Sequence, residues 1–339
     1  MKSLIACLLA GVLAVLGGSA VAVYILDPYF QYHDPDVTGD IWIDERYQAS
    51  GLLRSQDYDT ILIGTSLAAN YQPSWFDAAF DAQTVQITLP NGAISEFDTV
   101  LTFAYTCQEV ERVVVGLDAN ILARNVDEDP DELPVYLYNH TMLDDLPYLL
   151  NKDILAKSIY YAMEEDPALT PLDEGFLWDY WFSKEQALVS YPRPDISDET
   201  QSEDYYLANA DAHLEIVARW LEENPTVEYH FYLSPYAILF WDKMDREGTT
   251  EAMLTMLEHT MTTLLAYDNA TVHFFMDDET IITNLDNYTD HIHTSTAVTS
   301  AMVTAMAEGT YVVSEENLVA KVDGLRQLVV DYDYESIFE

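Results

Sequence analysis

Positive charge is what this sequence has least of. Its 14 Lys and Arg stand against 59 Asp and Glu, for a formal net charge of −45. That balance disfavours nucleic acid and anionic membrane surfaces as partners, because both would repel the chain. Solubility in a salty or ion-rich setting explains the acidity at least as well as function does. Cysteine is nearly absent. Cys7 falls in an N-terminal apolar run and Cys107 in a helical stretch before a strand, so nothing suggests a disulfide. At 339 residues the chain is long enough to rely on its hydrophobic core instead. Glycine and proline are few, and there are no internal repeats or low-complexity tracts, which is a globular composition.

One long hydrophobic run is present. Residues Leu4 to Leu26 are uncharged and almost wholly apolar, enough to span a bilayer core of roughly 30 Å. Lys2 precedes the run and Asp27 follows it, which keeps the short end cytoplasmic and puts the body outside. A cleaved signal peptide is the rival, with Ala20-Val21-Ala22 as a small-x-small site, but the run is long for one. The expected organisation is an anchor at 1–27, a juxtamembrane lead-in at 28–59 and an α/β body at 60–339. The expected location is a single-pass cell-membrane protein with an extracytoplasmic body.

Beyond the anchor, short apolar runs predict buried strands at Thr60 to Ile63, Val85 to Leu89, Arg112 to Leu117, Val227 to Leu233 and Val272 to Phe275. Helical periods fall between them, including Ile94, Phe97, Leu101 and Ala104, then Leu214, Val217, Ala218 and Leu221, then Met253 to Leu265. Further helices are expected at Ala297 to Glu308 and Ser314 to Val330. This alternation means a parallel sheet covered on both faces, an α/β/α flavodoxin-like sandwich. Residues 122–210 break the rhythm. They hold one helical stretch, Asp144 to Glu165, and a Tyr- and Trp-rich region around Trp178, Tyr180, Trp181 and Tyr191. So long an interval reads as an insertion.

The chemistry is expected where the first strand ends in Gly64-Thr65-Ser66 and Asp290-His291-Ile292-His293 comes near the far end of the chain. A serine hydroxyl attacks only when a base removes its proton and a third group orients that base. Ser66 would be the nucleophile, His293 the base and Asp290 its orienting carboxylate. An acyl-transfer site also needs oxyanion donors. The Ser66 N–H, Gly92 and the Asn120 side chain are the candidates, with Gly92 equally readable as a turn residue. Asp118 would repel an oxyanion unless it is protonated or faces away. Thr65, Asp118, Arg46 and Tyr236 are candidates for contacting substrate. Arg46, Arg54 and Arg193 stand out because cations are scarce.

Leu62-Ile63-Gly64-Thr65-Ser66 with Asp290-x-x-His293 resembles the SGNH/GDSL hydrolase superfamily, and in particular its membrane-anchored DltD-like and AlgJ/AlgX-like branches. Stretches such as Arg46-Tyr47-Gln48, Asp57-Tyr58-Asp59-Thr60 and Asn284 to Tyr288 resemble a group of bacterial surface proteins. The resemblance implies a three-layer α/β/α fold and ester hydrolysis or O-acyl transfer by Ser66, Asp290 and His293 on a cell-surface glycan or acylated polymer. It also implies a membrane-bound acyltransferase as a partner, and no cofactor. Two departures stand out: Gly-Thr-Ser replaces Gly-Asp-Ser, and Gly116-x-Asp118-x-Asn120 stands where the pattern is Gly-x-Asn-Asp. Two other functions stay open. Asp290, His291 and His293 could form part of a metal-dependent hydrolase site, although a further ligand is wanting. A non-catalytic accessory component of a surface-polymer modification or export complex would need no oxyanion donors.

Overall fold

The computed structural model describes residues 1–33, 42–126, 133–163, 172–173, 181–197 and 200–338. Trp178 and Tyr180 of the expected aromatic region lie outside these residues. The chain begins with α1 (Lys2–Leu26), followed by α2 (Glu45–Ser55), β1 (Thr60–Gly64), α3 (Pro73–Phe80), β2 (Thr84–Thr88), α4 (Ile94–Cys107) and β3 (Arg112–Leu117). Four helices come next, α5 (Ala119–Leu122), α6 (Leu146–Leu149), α7 (Lys152–Met163) and α8 (Lys184–Val189), and then the long α9 (Glu203–Glu223). The chain returns to the sheet with β4 (Glu228–Leu233), α10 (Ile238–Arg246), α11 (Thr250–Leu264) and β5 (Ala270–Phe274). It closes with α12 (Glu279–Ile282), α13 (Thr296–Ala307) and α14 (Leu318–Asp331).

All five strands run parallel in the order β2-β1-β3-β4-β5. Successive side chains on a strand point to opposite faces, so each strand feeds two cores. Ile61 and Ile63 join Val113, Val115, Phe231 and Phe274 in a core with α4, α9 and α11. Leu62, Val114 and Tyr232 face the other way, against α3 and α13. The layers are therefore helix, sheet and helix. Strands buried on both faces have little polar side to show, so β1 and β3 read as nearly continuous apolar runs, while β2, β4 and β5 carry Gln86, His230 and His273 within them.

The expected single helix from Asp144 to Glu165 is two helices among its described residues. Asn151 interrupts it, its side-chain oxygen accepting from the N–H groups of Asp153 (2.8 Å) and Ile154 (3.3 Å) to start α7 afresh. Between β3 and β4 no strand occurs among the described residues, and the segment is tied back by charge. Arg193 donates in bidentate fashion to Asp242 (2.9 Å twice), which is 1% exposed, and also to Glu335 (3.0 and 2.7 Å) beside the C-terminal tail. Its guanidinium lies 4.2 Å from the Phe338 ring centroid.

Removing Arg193 leaves the Asp242 charge buried without its cation, the Tyr191 hydroxyl at 2.9 Å remaining as a donor. Arg193→Ala is expected to cost about 3 kcal/mol of stability, read as a lower urea midpoint of the full-length protein in detergent. A loss below about 1 kcal/mol, the value of an exposed pair, would mean that the clamp is ornamental.

Candidate active site

In an open parallel sheet, ligands bind at the carboxyl ends of the strands where the strand order reverses, and here that point lies between β1 and β3. Register aligns the two strand ends, with Ile63 beside Val115 and therefore Gly64 beside Gly116. A Cβ on Gly64 would stand 2.7 Å from the Ala68 Cβ, so glycine is what lets the chain fold back at once into the short helical turn Ser66–Ala68. That turn lifts Ser66 to the sheet edge.

The far end of the chain meets it there. Ser66 Oγ lies 2.8 Å from His293 Nε2, and His293 Nδ1 lies 2.6 Å from Asp290 Oδ2. The other Asp290 oxygen accepts from the N–H groups of Ile292 and His293, each at 2.8 Å. Burial alone would raise the Asp290 pKa, but its bond and charge interaction with His293 and these two N–H groups outweigh it and lower the value to about 2. The carboxylate is thus a fixed acceptor that sets the ring's orientation.

The histidine loop is held on several sides. Tyr288 and Thr294 form an antiparallel bridge. The Asn70 side chain donates to Thr294 O (2.6 Å) while its backbone carbonyl accepts from Thr299 Oγ1 (2.9 Å), pinning the Ser66 segment to the His293 segment. Tyr288 Oη donates to Pro235 O (2.7 Å), and Ala237 N donates to His291 O (3.1 Å).

The remaining sequence candidates fall elsewhere than expected. Gly92 N–H is committed to Leu89 O at 2.7 Å, so it is not the free oxyanion donor assigned to it. A Cβ there would stand 2.7 Å from Leu89 O, which makes Gly92 a packing requirement of the turn. Asn91, exposed and left-handed at φ 55°, is the residue of that turn that reaches the cleft. Thr65 is buried and donates to Asp118 (3.1 Å). Tyr236 is also buried and donates to Asp118, its phenol pushed well above the usual range by burial and then by that carboxylate. Neither is among the residues that line the cleft beside Ser66. Asp118 also accepts from Asn120 N (2.9 Å), so both its oxygens are turned to protein donors. Arg46 is not a free anion receptor. It binds Glu96 (2.9 and 3.2 Å) and Pro90 O (2.9 Å), bracing the 89–92 turn from below. Arg54 is likewise spent on Gln31 and on the carbonyls of Leu137 and Asn139.

Ser66 opens onto a cleft of about 380 Å³ lined by Asn91, Asp118, Asn120, Arg124, Tyr205 and Lys243, among others. Neither the Ser66 N–H nor the Asn120 side-chain amide has a hydrogen-bond partner among the described residues. Both remain available to an incoming oxygen. Arg124 and Lys243 were missed in the sequence. The scarcity of cations singles them out as much as Arg46, but their position in the cleft comes from tertiary contacts alone. Among the described residues no group of three or more His, Cys, Asp or Glu is placed to hold a metal ion.

No protein-family model and no curated protein matches the chain. Nine solved chains match, among them one from Streptococcus pneumonia provisionally described as a platelet activating factor. It is 11% identical, with a TM-score of 0.40 over 86% of this chain and 97% of that one. So loose a likeness carries no functional weight, and the site stands on its own geometry.

Because the Asp290 pKa is lower folded than unfolded (about 3.9), its stabilising contribution is present above that value and is lost as pH falls toward about 2. The stability difference between wild type and Asp290→Asn, measured by urea midpoints, should be constant from pH 6 to about pH 4. It should then shrink below. A pH-independent difference down to pH 2 would contradict the ionised carboxylate.

Proposed function

We propose that the chain is a serine esterase or O-acyltransferase of the SGNH/GDSL kind, in the manner of the DltD-like and AlgJ/AlgX-like branches. The observation that carries this is the unbroken relay from Ser66 Oγ through the His293 ring to Asp290, at 2.8 and 2.6 Å. Ser66 Oγ attacks the acyl carbonyl carbon as His293 Nε2 takes its proton, and the ionised Asp290 stabilises the imidazolium. The oxyanion forms against the Ser66 N–H and the Asn120 amide. Collapse of the tetrahedral intermediate expels the alcohol, which takes its proton from His293. Water or an acceptor hydroxyl then resolves acyl-Ser66 by the reverse path. These steps use side chains and backbone alone.

The substrate proposed is an ester-linked acyl group on a cell-envelope polysaccharide or related polymer. An open cleft with amides, phenols and both signs of charge suits a hydroxyl-rich ligand. The α1 helix, long and apolar enough to cross a membrane, supports a single-pass protein with its body outside, and Lys2 at the short end supports that orientation. A membrane-bound acyltransferase is the fitting source of acyl groups. The proposed division is an anchor at 1–27, a lead-in at 28–59, and a body at 60–339 with an insertion at about 122–210. The engaged Gly92 N–H favours a second reading, an accessory component whose site no longer turns over.

Hydrolysis of p-nitrophenyl acetate by the full-length protein in detergent separates the two. Asp290→Asn should lower kcat by about 10⁴-fold through loss of the correct imidazole tautomer. Asn120→Ala should lower it by about 10²-fold through loss of one oxyanion donor. A wild-type rate no higher than that of Ser66→Ala would sink the enzyme and leave the accessory component.

A further inference from the structure

The α1 helix is bare for most of its length. From Lys2 to Gly18, about 25 Å at 1.5 Å per residue, every residue is exposed, and a Cβ added at Gly11, Gly17 or Gly18 would touch nothing. Shielding begins at Ser19 and continues through Val23, Leu26 and Asp27, a single face at i, i+4, i+7 and i+8. What covers that face is α6 and α7, with Val23 packed among Tyr148 and Ile154. The joint is stiff, because the Asp27 carboxylate accepts from the N–H groups of Gln31 (3.0 Å), Tyr32 (2.6 Å) and His33 (2.9 Å) and from Tyr148 Oη (3.1 Å).

A bilayer core of about 30 Å leaves no room for the anchor to clear the membrane before it meets these helices. Yet their outer surface is rich in apolar side chains, with Asp144, Lys152 and Asp153 the exposed charges among them. Met142, Leu143, Leu146, Leu150, Ile159 and Met163 are all exposed, Leu143 by 88% and Met163 by 80%. Ile159 and Met163 share one face of α7, and Tyr160 on α7 and Tyr24 on α1 are exposed as well. So many large exposed apolar side chains on one short stretch mark an interaction surface.

We propose that α6, α7 and the 142–150 segment form a platform seated in the outer lipid–water boundary beside α1, so that the protein holds the membrane by a span and a surface. Its continuity with the lipid-facing anchor assigns the occupant as bilayer, and the proposal rests on α1 crossing that bilayer. The chain's −45 charge repels anionic headgroups, so the apolar contact is suited to zwitterionic lipid.

The test is nitroxide accessibility in phosphatidylcholine vesicles containing the full-length protein, in a Cys7→Ser, Cys107→Ala background. Labels at Leu143→Cys, Ile159→Cys and Met163→Cys are compared with Val319→Cys and Val330→Cys, exposed on α14, and with Leu13→Cys in the anchor. The expected result is an oxygen-to-nickel collision ratio at all three platform sites several-fold above both α14 sites. Platform labels as open to nickel as those on α14, with Leu13 still shielded in lipid, would overturn the platform and leave the anchor standing. Nickel access at Leu13 as well would overturn the span and with it the platform.

Discussion

The contact on which this molecule turns joins Ser66 to His293, two side chains 227 residues apart in the chain and 2.8 Å apart in space. A parallel sheet makes that meeting possible. Every strand ends on the same edge, so the loop after β1 and the segment after β5 emerge on one edge of the sheet, although β3 and β4 lie between them. The reversal of strand order between β1 and β3 then opens a crevice at that edge. Ser66, His293 and Asp290 are carried by loops, but the loops are fixed by the sheet and by Asn70, Thr299 and Tyr288. Geometry of this kind, held before substrate arrives, is what a serine nucleophile requires.

Charge has a structural use in this chain that its sign conceals. With 59 acidic residues to 14 basic ones, most carboxylates have no cation to pair with. The few arginines are placed where one cation holds several acceptors. Arg46 braces the turn beside the cleft, Arg54 gathers the carbonyls of Gln31, Leu137 and Asn139, and Arg193 ties the segment before α9 to α10 and the tail. A planar fork of five donors does this better than lysine can. Arg124 and Lys243 line the cleft, Lys243 paired there with Glu247 at 3.6 Å.

Much of the fold was legible because doubly buried strands are mostly apolar, even with Gln86 and His273 buried among them. Arg112–Leu117 has the bounds its sequence suggests, and the other strands shift by no more than two residues at an end. Ser66 and the Asp290-to-His293 segment could be picked out because Gly-Thr-Ser after a strand and Asp-x-x-His are each recognisable short motifs, although 227 residues separate Ser66 from His293. What could not be read was pairing over distance that no motif marks. Nothing near Arg46 in the chain announces Glu96, and nothing near Tyr236 announces Asp118. The Pro90-Asn91-Gly92 turn was visible as a turn. Which of its residues spends its N–H internally depends on backbone angles, and Gly92 proved to be packed while Asn91 took the left-handed, outward position. The break in the 144–165 helix was likewise a matter of one side chain, Asn151, which caps the first turn of α7.

The central claim is that Ser66 is an activated nucleophile. The measurement that tests it most directly is reaction of the full-length protein with a fluorophosphonate, followed by peptide mapping. A single adduct on Ser66 that disappears in His293→Ala is the expected result. A protein that is folded by circular dichroism yet carries no adduct, or carries one that survives loss of His293, would contradict it.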